Sequence, residues 1–510
     1  MPGQPDAPNI VVIMADQLAP QFCGAYGHPV AKTPHIDALA ARGMRFDAAY
    51  CNSPLCAPSR AAFMSGQLVT RIGAYDNAAE FPASVPTFAH YLSGQGYRTC
   101  LAGKMHFVGP DQKHGFQDRV TTDIYPSDFA WTPNWEAHEK RIDKWYHNMA
   151  TVKESGQAVA TFQTDYDDEV DFAARRWLID RGRDRAAGEA APFCLVASFI
   201  HPHDPYVAKP EWWDLYDDAD IALPDCTLTP EEQDPFARRL MDGIEASMIP
   251  LTEEEIIRAR RAYLANVSYF DSKVGAVVQA LRDIGELDNT VVIVTADHGD
   301  MLGERGLWYK MAFFEHSVRV PLIMAGPGVA QGTVPNACSL IDLLPTMFEI
   351  AGGGTLGEPV DGRSIWPLAQ GQEDPVDEAI SEYCAEMTPA PVFMIRRGPF
   401  KYVHCDADPP QLYDLSNDPG ERSNVADDPA YADQSAAFAA EVARRWDSAA
   451  IRADVMRSQK ARHALHAVME AGAGEPWDYN PPSDASQQYV RNHMDWTVAA
   501  ARYRFPPKKD

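Results

Sequence analysis

Short runs of unbroken apolar residues alternate along this chain with segments of helical period. "NIVVIMAD" is followed by "PHIDALAARGMRF" and "TFAHYLSGQGYRTCLAGK", and further on come "APFCLVASFIHPH" and "VGAVVQALRDIGELDNTVVIVTADHGD". A strand that is apolar at every position, rather than at alternate ones, has both faces buried. Strands of that kind joined by helices predict an α/β fold with a mostly parallel sheet covered on both sides. In such sheets functional side chains gather beyond the carboxyl ends of the strands. Polar residues fall at those ends here: Asp16 after "IVVIMA", Lys104 after "RTCLAG", His201 after "LVASFI" and Asp297 after "VVIVTA". This placement points to an enzyme.

After about residue 372 the pattern changes. "PVFMIRRGPFKYVHC" and "PPQLYDLSNDPGERSNVADDP" read as strand-like pieces broken by turns, which predicts a small antiparallel sheet packed on the main unit. One long helical stretch, "YADQSAAFAAEVARRWDSAAIRADVMRSQKARHALHAVMEA", follows. The last segment has no clear period but is rich in aromatics and prolines; disordered tails are poor in aromatics, so this one is expected to dock on a surface. The expected organisation is a catalytic α/β unit over 1–372, a subdomain with a small antiparallel sheet and helix over 373–473, and a C-terminal tail over 474–510.

Composition narrows the function classes. With 510 residues and 45% hydrophobic content, the chain can bury a large core. Its formal charge of −27 argues against general affinity for nucleic acid or an anionic membrane, both of which need a basic face. An anionic substrate must then be drawn in by a local cationic pocket. The N-terminal apolar run "IVVIM" ends at Asp16 after a few residues and follows no basic leader, so it reads as a buried strand and not a signal peptide. No stretch is apolar for long enough to span a bilayer. Nine cysteines, an odd number, do not form a disulfide framework, and a cytoplasmic location is expected.

One short stretch carries specific chemistry. "CAPSRAAFMSG" places Cys56 four residues before Arg60, a cation able to assist a nucleophile. This stretch, with "NIVVIMADQ", "GKMHFVG", "HPHDPY", "ADHGDMLGERGLWYKMAFFEHSVRVPLI" and "QLYDLSNDPGERSN", resembles in order and spacing the sulfatases of the alkaline phosphatase superfamily. Within that family "GAYDNAAEF", "TDIYPSDFAWTP", "WYHNM", "DYDDEV" and the tail "GEPWDYNPP…RNHMD" are similar to the choline sulfatase subgroup.

The resemblance implies an alkaline-phosphatase-like sandwich with a large mixed, mostly parallel sheet between helices and a smaller C-terminal antiparallel sheet. It implies that Cys56 is oxidised before folding, by a formylglycine-installing enzyme, to a formylglycine aldehyde. The hydrated aldehyde would offer one oxygen to attack sulfur and a second whose deprotonation expels sulfate. The metal ligands implied are Asp16, Asp297, His298 and the modified Cys56, binding one divalent ion. An oxygen-dominated set suits Ca²⁺ first, and the imidazole leaves Mg²⁺ and Mn²⁺ open. Many arylsulfatases carry a second Asp after the first and Asn or Gln after the later one, where this chain has Gln17 and His298. Arg60 would fix the nucleophile. Lys104, His106, His201 and Lys310 match the sulfate pocket, with His106 assisting the diol and His201, together with Lys310, protonating the leaving oxygen. His203 and Asp204 in the same turn are read as loop structure.

The subgroup likeness makes choline-O-sulfate the expected substrate. A quaternary ammonium neither donates hydrogen bonds nor loses its charge, so its natural receptor is an aromatic face with a carboxylate. Trp131 is the leading aromatic, Asn77, His147 and Asn148 are polar neighbours, and Glu386 and Asp495 are the candidate carboxylates. The likeness further implies a homo-oligomer, a tetramer, joined through the C-terminal tail. Three rivals stand beside this reading: a phosphonate or phosphate monoester hydrolase, another alkyl or aryl sulfatase, and a non-catalytic choline sulfate binding protein.

Overall fold

The structure is a computed structural model and describes residues 7–137, 147–189, 191–474 and 476–507. The first two residues of "WYHNM" and the last three of the tail lie outside the described residues. In chain order the strands are β1 (Asn9–Asp16), β2 (Met44–Tyr50), β3 (Arg98–Gly103), β4 (Asp118–Arg119), β5 (Gly156–Gln157), β6 (Phe193–Pro202), β7 (Val207–Ala208), β8 (Thr290–Ala296), β9 (Leu322–Ala325) and β10 (Gly332–Ser339). Eight of them form one sheet in the order β10-β2-β9-β8-β1-β6-β3-β4, while β5 pairs with β7 in a separate ribbon. The sheet is mixed. β9 runs antiparallel to both neighbours, and the remaining pairs are parallel.

The apolar runs behave as their patterns predict. Every residue of β1, β6 and β8 is buried, because helices cover both faces of the sheet. Helices Pro34–Arg42, Phe162–Ala186 and Glu253–Asp283 pack together on one side; Cys56–Ser65, Phe88–Gly94 and Leu343–Ile350 pack together on the other. β1 lies between β6 and β8 with Ala15 opposite Ala296. Asp16 and Asp297, far apart in sequence, therefore leave the sheet side by side.

The second sheet is an antiparallel meander of β11 (Glu378–Tyr383), β12 (Val392–Arg397), β13 (Phe400–Cys405) and β14 (Asp408–Asp414). It is tied to the segment leading into Cys56: Asn52 donates to the carbonyl of Ile380 and accepts from the amide of Glu382, both at 2.8 Å. The long helical stretch that follows is two helices, Ala432–Arg445 and Ser448–Glu470, and not one. Trp446 breaks it. Its backbone is extended, its ring stacks on Phe393 at 4.5 Å, and its indole N–H donates to Glu382, while Asp447 caps the second helix. Burying that indole outweighs helix continuation. Part of the tail docks on its own chain: Trp477 packs on Phe129, Asp478 accepts from Ser127, and Tyr479 donates to the carbonyl of Arg119. Among the described residues no helix is long and apolar enough to cross a membrane.

Gly103 ends β3 with φ +104°, and a Cβ there would lie 1.9 Å from the carbonyl oxygen of Ser198 in β6. Gly103→Ala is expected to cost about 2–5 kcal/mol by forcing that contact and an unfavourable φ, and to lower activity by moving the adjacent Lys104. Urea unfolding checks it. An unchanged midpoint would show that β3 and β6 separate there freely.

Candidate active site

Three pieces of chain meet beyond the edge where β1 and β8 end. Asp16 closes β1, Asp297 and His298 follow β8, and Cys56 opens the helix Cys56–Ser65 above them. The thiol Sγ lies 3.2 Å from Nε2 of His298 and 3.8 Å from Oδ1 of Asp16. One helical turn on, Arg60 points to the same edge, as side chains four apart on a helix do. Its Nε donates to Asp297 Oδ2 at 2.8 Å and one terminal nitrogen to Asp16 Oδ2 at 3.0 Å. The other donates to the Lys104 carbonyl at 2.6 Å and to Ser198 Oγ at 2.8 Å. The whole group is buried.

Charge is balanced locally. Burial opposes ionisation of Asp16, but the buried cations Lys104 and Arg60 outweigh it and hold its carboxyl well below the usual range. Burial and Asp16 push the Cys56 thiol up to about 11, so an unconverted thiol is protonated at neutral pH. Ligand atoms of Asp16, Cys56, Asp297 and His298 all lie within 4.8 Å of one another. Two carboxylate oxygens, an imidazole nitrogen and the group at position 56, converging in a buried space, fit a small divalent cation.

The structure brings some of the expected sulfate-pocket residues together and sets one apart. Lys104 Nζ pairs with Asp16 Oδ2 and sits 4.2 Å over the Tyr125 ring. Lys310 Nζ donates to Gln17 Oε1 at 2.5 Å and to His203 Nε2 at 2.8 Å. Gln17 is thus an orienting residue here, with its Nε2 donating to Asp204 and Asp300. His201, expected beside Lys310, is elsewhere. Its Nδ1 faces Asp167 Oδ2 at 2.7 Å and its ring meets Tyr269 edge-on, under the helices Phe162–Ala186 and Glu253–Asp283. Asp167 also accepts the amides of Ile200 and His201, which turns that imidazole away from the site. The place beside Lys310 belongs to His203, set aside as loop structure, whose Nε2 is 3.9 Å from Asp16 Oδ1. Burial and Lys310 hold His203 neutral. Its Nδ1 faces the Asp204 carbonyl at 2.6 Å, which leaves Nε2 as the atom facing Lys310.

His106 adopts φ +55° and its buried ring has no hydrogen-bonding partner among the described residues. Burial and Lys104 lower its pKa to about 3, so the ring is neutral. It forms an aromatic wall with Tyr125 at 5.3 Å and Trp131 at 5.9 Å; Trp131 is half-buried. His147 stacks on Tyr309 at 4.5 Å and its Nδ1 lies 3.5 Å from Asp204. Two expected polar neighbours are engaged in structure. Asn77 Oδ1 accepts the Ala57 amide in the first turn of the Cys56 helix, and Asn148 Oδ1 caps the helix Met149–Lys153. Glu386 is buried, with Tyr383 donating to it at 3.3 Å. Burial and Asp76 push it up to about 7 against the pull of Lys310. Asp495 is exposed and caps the helix Trp496–Tyr503, so within one chain it does not join the cluster.

Sequence reasoning missed His203, Asp204, Tyr125 and Asp300. "HPHDPY" and "TDIYPSD" were legible as motifs, but strand alternation does not tell which of two histidines leaves the sheet edge toward Asp16 and Lys310.

Comparison with known proteins places this geometry. The "Sulfatase" family model matches residues 8–353. "Choline sulfatase enzyme C terminal" matches 453–505, and "N-sulphoglucosamine sulphohydrolase, C-terminal" matches 303–447. The chain is 46% identical over 506 residues to a choline-sulfatase of Rhizobium meliloti (strain 1021), covering 98% of each. It is 30% identical to arylsulfatase K of Danio rerio, over 82% of this chain and 80% of that one. Among solved structures, a phosphonate monoester hydrolase of Agrobacterium radiobacter superposes with TM-score 0.70 at 22% identity, covering 88% and 96%, a likeness of fold. A 2-O GAG sulfatase superposes with TM-score 0.66 at 25% identity, covering 86% and 92%.

Arg60→Met is expected to lower the stability of chelator-treated protein by about 3–5 kcal/mol, since it leaves two buried carboxylates without their shared cation. Added Ca²⁺ should recover part of the loss. Thermal unfolding with and without chelator measures both, and an unaltered melting temperature in chelator would refute the bridging role.

Proposed function

The chain belongs to the sulfatase family and is a sulfuric ester hydrolase; from that premise we propose that it hydrolyses choline-O-sulfate to choline and inorganic sulfate. The observation that supports this reading is a pair of buried lysines, Lys104 and Lys310, that both act on the group at position 56, as an anion pocket needs. Trp131, against the His106 ring, and the buried Glu386 are assigned to the ammonium as a second part of the site. A phosphonate or phosphate ester without a cationic group leaves that second part unfilled, and a mere binding protein has no need of position 56.

In this reading Asp16, Asp297, His298 and the group at position 56 hold the metal. A divalent ion there, Ca²⁺ in first place, would neutralise charge and lower the pKa of the attacking oxygen. Conversion of Cys56 to formylglycine would supply an aldehyde whose hydrate carries the second oxygen that a thiol lacks. Arg60 braces both carboxylates and so fixes the metal ligands relative to the nucleophile. Lys104 and Lys310 bind sulfuryl oxygens. His106, whose ring nitrogens have no hydrogen-bond partner among the described residues, is assigned the proton lost when sulfate is released. Lys310, with His203 in the role first expected of His201, protonates the leaving oxygen. An alkyl alkoxide is a poor leaving group, so this proton matters more than for an aryl ester.

The burial of Cys56 supports conversion by an installing enzyme before the chain folds. The division at 372 and 473 is kept as the proposed organisation, with the cytoplasm as the proposed location. We assign the tail to a homotetramer contact that brings Asp495 to a neighbouring site: beside Asp495, Trp496 and Val498 are 72% and 69% exposed.

Peptide mass spectrometry of active protein is expected to show formylglycine at position 56, and Cys56→Ala to abolish turnover with the fold intact; full activity with unmodified cysteine would overturn the mechanism. Trp131→Ala is expected to raise KM for choline sulfate by about 0.5–2 kcal/mol, roughly two- to thirty-fold, through the lost cation–π contact. p-Nitrophenyl sulfate, which has no ammonium, should be far less affected. Equal losses would make Trp131 structural.

A further inference from the structure

One side chain of the C-terminal helix Ser448–Glu470 holds two walls of the site at once. Arg462 is buried, and its terminal nitrogens each donate at 2.7 Å to one carboxylate oxygen of Asp76. One of them also donates to Thr132 Oγ1 at 3.1 Å. Asp76 precedes Asn77, which holds the Ala57 amide beside Cys56, and Thr132 follows Trp131. The same helix grips the rest of that loop. Gln459 accepts the Trp135 amide at 2.9 Å, and His463 Nε2 lies 3.0 Å from the Pro133 carbonyl. Trp135 in turn donates its indole N–H to Ala385, the neighbour of Glu386.

A buried ion pair adds little net stability compared with apolar packing of the same volume. Its value lies in geometry, because a planar guanidinium fixes two carboxylate oxygens and a hydroxyl in one arrangement. We propose that Arg462 is a positioning residue for substrate specificity: through Asp76 and Thr132 it sets the Trp131 loop and the charge facing Glu386, and so the affinity for the cationic end of the substrate. This rests on the choline sulfate reading. The charged and titratable groups facing Glu386 are Asp76, Tyr383 and Lys310. With Glu386 near 7, more of it is carboxylate as pH rises, and KM for a cationic substrate falls through that range. Without Arg462 the Asp76 charge is unopposed, repels the Glu386 carboxylate, and moves this limb to higher pH.

The test compares wild type, Arg462→Gln, Arg462→Lys and the double variant Asp76→Asn/Arg462→Gln on choline sulfate and p-nitrophenyl sulfate across neutral pH. Arg462→Gln is expected to raise KM for choline sulfate at least tenfold more than for p-nitrophenyl sulfate. Its KM limb should shift upward by about one pH unit, and the added Asp76→Asn should return the limb toward wild type. Equal losses on both substrates, or an unmoved limb, would overturn the proposal. If Arg462→Gln fails to fold, Arg462→Lys decides: a single ammonium cannot span all three oxygens, so a choline sulfate KM within twofold of wild type overturns it. A wild-type enzyme without preference for choline sulfate would instead overturn the substrate reading, and this inference with it.

Discussion

The site depends on one buried guanidinium between two buried carboxylates. Asp16 and Asp297 emerge from adjacent parallel strands, so the sheet itself forces like charges together where water cannot screen them. Arg60 resolves this and does more. Its bonds to the Lys104 carbonyl and to Ser198 tie the ends of β3 and β6 to those of β1 and β8. Because it rides one turn after Cys56, the same contacts set the height and rotation of the helix Cys56–Ser65 over the sheet edge.

Around that centre a chain of net charge −27 concentrates cations: Arg60, Lys104 and Lys310 are all buried beside position 56. Each is held by a specific oxygen or ring, which limits how far it can move toward an acidic neighbour. Lys310 is the clearest case. Gln17, Asp204 and His203 form a hydrogen-bonded frame about it, and a frame of neutral and acidic groups keeps a buried lysine charged. A local field of this kind admits an anion to a protein that repels anions at long range.

The C-terminal third closes the pocket. The small sheet is anchored through Asn52 to the segment before Cys56, Trp446 links its strands to Thr70 through Glu382, and the helix Ser448–Glu470 docks on the loop that carries Trp131. The loop that carries Trp131 itself lies between β4 and β6, while the helix that braces it follows the large sheet in the chain.

The sequence by itself determined the sheet, its mostly parallel sense and the edge at which Asp16, Asp297, Lys104 and Cys56 gather, because burial on both faces leaves its mark at every strand position and strand ends fall where polarity begins. The motifs likewise marked "HPHDPY" as a candidate part of the site. Which histidine faces Lys310 was decided only in three dimensions, since Asp167, from a helix packed against β6, claims His201 and leaves His203 to the pocket. The same holds for Asn77 and Asn148, whose amides serve helix starts, and for the break at Trp446, where tertiary burial of an indole overrides a continuous helical pattern. Linear pattern records how deeply a residue is buried. It does not record which partner, brought in from elsewhere in the chain, captures its polar atoms.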